Sequence, residues 1–141
     1  AEHELNGVPM RIEIGPKDLE NNSVMIKTRI GKDKVSAPIS ELKKTVKKML
    51  NEMQDELFNT AKKRMDDATV SVESKNQFTT ALKNKKLIRM NWCNETTCEE
   101  NIKEWTGAST RCVLLKKEKA EGSCPYCGEV AKVVMYFSRS H

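Results

Sequence analysis

The chain has 141 residues, enough for one ordinary domain or two small ones. Its apolar fraction of 38% suits a soluble fold with a modest core, and 5% aromatics leave that core to aliphatic residues and the seven Met. A formal charge of +5 admits a polyanionic partner without demanding one; no apolar run approaches the ~18 residues of a membrane span, and Ala1-Glu2-His3-Glu4-Leu5 lacks the basic and apolar stretches of a secretory signal.

Val8 to Ile14 alternates apolar and polar residues. Val8, Met10, Ile12 and Ile14 share one face, Arg11 and Glu13 the other, which predicts a strand. Gly15-Pro16 ends it, and Pro16 to Glu20 suits a single helical turn opened by proline. Asn21-Asn22-Ser23 reads as a turn, Val24 to Ile30 as a second strand and Gly31 to Lys34 as a hairpin loop. Val35 to Ile39 is expected to be an edge strand, where Pro38 does little harm.

Ser40 is a suitable N-cap for a long helix over 40–67. Leu42, Val46, Met49, Leu50, Met53, Leu57, Phe58, Ala61 and Met65 recur in steps of three and four, opposite Lys43, Lys44, Lys47, Lys48, Glu52 and Lys63. That stripe is expected to face a core. Thr69 to Val72 is a short extended piece, and Ser74 is placed to cap a helix carrying Phe78, Ala81 and Leu82. Leu87 to Trp92 predicts a strand that runs into Cys93. Cys98 to Thr106 predicts a helix, with Gly107 as its C-terminal stop. Ser109 to Leu115 and Val130 to Phe137 complete the strands.

Composition shifts near residue 86: all five cysteines and both Trp follow it, which marks two units. An odd count and no secretory signal argue against a disulfide framework and for a reducing compartment. Cys93-x4-Cys98, 25 residues, then Cys124-x2-Cys127 supplies two chelating loops, and four thiolates are what tetrahedral zinc needs. With four cysteine ligands and no open position, the Zn2+ is expected to be structural. Cys112 is expected to be a small buried hydrophobe in a strand. Arg111, Lys116, Lys117 and Lys119 are candidates to offset the charge near -2 of the loaded centre. No catalytic residue is assigned: a cysteine nucleophile finds no partner, since His3 and His141 are the only histidines.

Two stretches carry a family resemblance: Gly7-Val8-Pro9-Met10-Arg11-Ile12-Glu13-Ile14-Gly15-Pro16-Lys17-Asp18, and Ser109-Thr110-Arg111-Cys112-Val113 followed by Cys124-Pro125-Tyr126-Cys127-Gly128. Their order and spacing resemble the C-terminal part of prolyl-tRNA synthetase, in its archaeal and eukaryotic-type branch. The resemblance implies an α/β (α+β) chain: the later part of a mixed-sheet anticodon-binding domain with the long helix, over 1–68, then a small α/β zinc-binding domain over 69–141. It implies an anticodon with two adjacent guanines as target, and places Glu4, Arg11, Lys17 and Asp18 on the family's anticodon-reading positions. A carboxylate beside a cation complements the guanine edge, whose N1–H and N2–H donate beside the O6 acceptor, and unpaired loop bases expose that edge.

The parent enzyme, a class II synthetase, would join proline to its tRNA using ATP, as a cytoplasmic homodimer with no membrane association. The resemblance therefore makes proline tRNA and the synthetase's own catalytic domain the expected partners. This chain carries no class II motif and no βαβ portion ahead of Glu4, so it is expected to be a piece of a longer protein or the partner of a separate chain. The face with Val8, Met10, Ile12 and Ile14 should then be partly uncovered. Where the family often ends in Tyr the chain has His141, which removes support for a C-terminal role at the active site. The rival readings are a stand-alone zinc-containing RNA-binding module and a structural zinc domain for protein partners.

Overall fold

The computed structural model describes residues 2–31 and 33–140, without the side chain of Glu4. Its elements, in order, are α1 (Glu2–Leu5), β1 (Met10–Glu13), α2 (Pro16–Glu20), β2 (Ser23–Thr28), β3 (Val35–Pro38), a 3-10 turn (Ile39–Glu41), α3 (Leu42–Ala68), β4 (Thr69–Ser71), α4 (Lys75–Lys83), β5 (Leu87–Trp92), α5 (Thr96–Thr106), β6 (Ala108–Cys112) and β7 (Val133–Arg139). They form two compact units, Ala1–Lys62 and Lys63–His141.

The first unit is an antiparallel meander, β1-β2-β3. Met10 lies opposite Thr28 and Glu13 opposite Met25, so Ile12 and Ile26 share one face while Arg11 and Lys27 share the other. Val24, Ile26 and Ala37 form the core, closed by Met10, Leu42, Val46 and Met49. Val8, Ile12 and Ile14 are 38%, 43% and 58% exposed, so the apolar face of β1 is partly uncovered as expected.

The helix begins two residues later than its sequence signal. Ser40 sits inside the 3-10 turn rather than at an N-cap, and the backbone N–H of Ile39 is anchored on the carbonyl of Asn22 at 2.9 Å. The stripe is also not one continuous core face. Met53 is buried, but Leu57 is 36% exposed, Phe58 61% and Met65 58%. Helical period predicts a face; it does not predict what covers it.

The second unit is a four-stranded mixed sheet, β4-β5-β7-β6. β4 and β5 are parallel around the α4 crossover, whereas β7 runs antiparallel to both β5 and β6. Ser74 caps α4, its hydroxyl accepting from the Gln77 N–H at 3.3 Å. α5 ends at Gly107, whose φ of 73° is the left-handed conformation glycine adopts freely. Val72, Phe78, Ala81 and Leu82 share one core with Ile88, Met90, Ile102 and Phe137. The composition shift near residue 86 thus falls inside this unit, and does not mark its edge.

β6 stops at Cys112, so the predicted continuation to Leu115 is not a strand. Its ladder is interrupted between Thr110 and Cys112. Cys112 is exposed, contrary to the buried role expected of it. It ends an edge strand, and the apolar Val113, Leu114 and Leu115 beyond it are exposed as well. No helix among the described residues is long and apolar enough to cross a membrane.

Candidate metal centre and RNA-reading segment

The four predicted ligands converge. The Sγ atoms of Cys93, Cys98, Cys124 and Cys127 all lie within 4.8 Å of one another. Cys98 and Cys124 are 3.8 Å apart, and Cys93 and Cys127 are 3.5 Å apart. Sulfurs placed 2.3 Å from a common tetrahedral centre stand about 3.8 Å apart, so the cluster has the size of a four-thiolate metal site to within about 1 Å.

Local structure explains the convergence. β5 delivers Cys93 at its C-terminal end, and α5 presents Cys98 from its first turn. The knuckle Cys124-Pro125-Tyr126-Cys127-Gly128 is a turn closed by the Gly128 N–H donating to the Cys124 carbonyl at 2.9 Å. Gly128 takes φ of 82°, a value that strains any residue with a Cβ. The Lys132 N–H donates to the Trp92 carbonyl at 2.8 Å and ties the loop back to β5 beside Cys93.

The thiols differ. Burial pushes Cys93 and Cys98 above the ordinary thiol range. Burial also opposes the Cys124 thiolate, but backbone N–H groups led by those of Cys127 and Tyr126 outweigh it, and its pKa falls. Such N–H groups aimed at sulfur are what a bound metal thiolate uses. Sequence reading missed one further donor: the indole N–H of Trp92 donates to Cys98 Sγ at 3.4 Å, with both groups buried. The two residues are six apart, and only the turn between β5 and α5 brings them together.

One of the four cations expected to offset the loaded centre serves another group. Arg111 is committed elsewhere: its guanidinium donates to Ser138 Oγ at 2.8 Å, the Ser138 carbonyl at 2.9 Å and Ser140 Oγ at 2.9 Å. The register sets Trp92 against Val133 and Thr110 against Phe137, so Arg111 lies toward the far end of β7 from the cysteines. Lys132 is paired with Glu95, which is the main reason its pKa is raised, and Cys93 adds to that effect.

The second predicted site lies along β1 and α2. Arg11 donates through Nε to Glu13 Oε1 at 2.8 Å, and Glu13 also holds Lys34. These bonds, Lys34 first and then Arg11, keep the Glu13 carboxyl below the ordinary range. Asp18 accepts the Gly15 N–H on Oδ2 at 2.8 Å, which closes the first turn of α2. Lys17 is exposed on the same turn. Lys27 sits opposite Arg11 across the sheet, a neighbour that spacing along the chain could not reveal. Glu4 belongs to α1, and its side chain lies outside the described residues, as does His141.

Residues 75–141 match the family model described as the C-terminal region of prolyl-tRNA synthetase, and residues 1–49 match that of the anticodon-binding domain. The chain belongs to the prolyl-tRNA synthetase family, as its C-terminal part.

A proline–tRNA ligase of Clostridium botulinum (strain Okra / Type B1) is 34% identical over 142 residues, covering 100% of this chain and 30% of the relative. One from Lachnoclostridium phytofermentans matches at 34% with the same coverage. Proline–tRNA ligase 2 of Bacillus thuringiensis subsp. konkukian is 36% identical over 141 residues, covering 99% of this chain and 30% of that protein. The crystal structure of prolyl-tRNA synthetase from Cryptosporidium parvum complexed with halofuginone and AMPPNP superposes with a TM-score of 0.86 at 33% identity, over 98% of this chain and 29% of that one. The chain therefore spans about 30% of the length of these curated synthetases. Within the family match, all four clustered cysteines fall in the synthetase C-terminal region, and Arg11, Lys17 and Asp18 fall in the anticodon-binding domain.

Proposed function

We propose that this chain is the anticodon-reading part of a prolyl-tRNA synthetase. Glu4, Arg11, Lys17 and Asp18 recognise two adjacent guanines of the proline anticodon, and Cys93, Cys98, Cys124 and Cys127 hold one structural Zn2+. RNA reading belongs to residues 1–68 and mechanical support to 69–141. The whole enzyme, a cytoplasmic homodimer, uses ATP to join proline to its tRNA. Its catalytic domain is the partner of this chain, which supplies no catalytic group of its own.

The observation that carries this reading is the match of residues 1–49 to the anticodon-binding domain, a span that contains all four reading positions. The local chemistry supports it. Asp18 uses Oδ2 for the Gly15 N–H, and its other oxygen is left to accept from guanine N1–H or N2–H. Arg11 and Lys17 supply donors for O6 and the flanking phosphates. Zinc supplies a cross-link between chain segments. The residues do the rest: Trp92 and the knuckle N–H groups hold the sulfurs in place.

The test is Asp18→Asn. The amide oxygen still accepts from Gly15, so α2 keeps its cap while the carboxylate is lost. Preference for the natural anticodon over one with substituted guanines should fall by about 1–3 kcal/mol, roughly 5- to 150-fold, with Tm unchanged. Undiminished preference in this variant would remove Asp18 from the reading set.

A further inference from the structure

We propose that the second unit carries its own RNA-phosphate site, in a basic pocket between the C-terminal end of α4 and the end of β7. It rests on the RNA-binding role proposed above, yet it lies among residues to which that role assigns nothing. The pocket encloses about 270 Å³. Lys83, Lys85, Lys86 and Arg139 line it, and no acidic side chain does among the described residues.

The cations are not spent on each other's neighbours. Lys83 and Lys85 make no ion pair among the described residues. Lys86 Nζ donates to the Asp67 carbonyl at 2.7 Å and Arg139 Nε to the Thr106 carbonyl at 2.7 Å. Those are neutral acceptors, which fix the two cations without cancelling their charge. Ser138 and Ser140 complete the wall. Both hydroxyl oxygens already accept from Arg111, so their O–H groups remain as donors. Four cations and two hydroxyl donors without a carboxylate match the oxygen-rich surface of a phosphodiester.

The backbone adds a second observation. A helix C-terminus ordinarily presents free carbonyls that repel anions. Here they are closed: the Lys85 N–H bonds the Leu82 carbonyl at 3.1 Å and the Lys86 N–H bonds that of Ala81 at 3.0 Å. This is the Schellman arrangement, whose left-handed residue is usually glycine. Lys85 occupies it instead, with φ of 54°. The chain keeps a strained position for a lysine whose side chain lines the pocket.

That strain supplies the decisive variant. Lys85→Gly relieves the backbone while removing a charge, so Tm should rise by a few degrees. In the zinc-supplemented full chain, binding of a proline tRNA transcript at about 0.15 M salt should weaken roughly four- to fivefold, and the slope of log affinity against log salt should fall by roughly 0.7–0.9. Lys83→Ala in the same background should double the slope change, and Lys85→Arg should restore binding. The loss must be equal for a transcript with substituted anticodon guanines. An unchanged slope in Lys85→Gly overturns the site, as does a loss confined to guanine-bearing RNA. Unchanged RNA affinity with weakened polyglutamate binding would transfer the pocket to an acidic protein and overturn it equally. If natural and guanine-substituted transcripts bind alike while the lysine effect persists, the anticodon reading fails and the phosphate site stands.

Discussion

Trp92→Phe isolates the contribution of one buried hydrogen bond to the metal centre. The indole N–H donates to Cys98 Sγ at 3.4 Å, and the ring meets Phe137 edge-on, with centroids 5.7 Å apart. Phenylalanine preserves that aromatic contact and removes the donor. Packing lost with the second ring lowers the stability of the metal-free and metal-loaded forms alike, so metal affinity reports the hydrogen bond and Tm does not. A hydrogen bond to a charged acceptor contributes about 1.5–3 kcal/mol, and loss of a group that orients a ligand typically weakens metal binding by about 10- to 100-fold. Zinc affinity measured by competition with a chromophoric chelator at fixed pH should fall by roughly that factor. Affinity within twofold of wild type would show that the indole serves the core alone, and that the thiolate at Cys98 needs no donor from it.

Ile102→Ala should destabilise the second unit by about 2–5 kcal/mol, because the side chain is fully buried in its main core; a denaturant midpoint close to wild type would contradict that packing. Glu13→Gln should change the acid limb of the first unit's stability. The Glu13 carboxyl is held below its ordinary range by Lys34 and Arg11, so its contribution is present above the unfolded carboxylate pKa of about 4.3 and is lost as pH falls through the folded value. The difference between wild type and variant should therefore shrink below about pH 4; a difference independent of pH would contradict the ion-pair account.

Much of the fold is legible where local and tertiary preferences agree. β5 matches its predicted bounds because alternate residues from Leu87 to Trp92 are buried, the pattern a half-covered strand writes into its sequence. α4 follows from Ser74 and its apolar face. The four-cysteine cluster is legible because chelation requires close pairs, and the sequence holds two such pairs. What failed depended on distant partners. Val113 to Leu115 has strand composition, yet the chain leaves the sheet after Cys112. Ser40 has cap chemistry, but the anchoring of Ile39 on Asn22 starts the helix later. α1 is four residues long with no apolar period to read. In the candidate RNA site, Arg11 and Asp18 were visible as a motif, whereas the Glu13–Lys34 pair and the position of Lys27 required the β1-β2-β3 register.

The most direct measurement of the central claim is the affinity of this chain for two proline tRNA transcripts, one natural and one with its adjacent anticodon guanines replaced by adenines. An edge-specific site should bind the substituted RNA at least tenfold more weakly, and Arg11→Ala should bring the two affinities together. Equal affinity of the wild-type chain for both transcripts would contradict guanine reading.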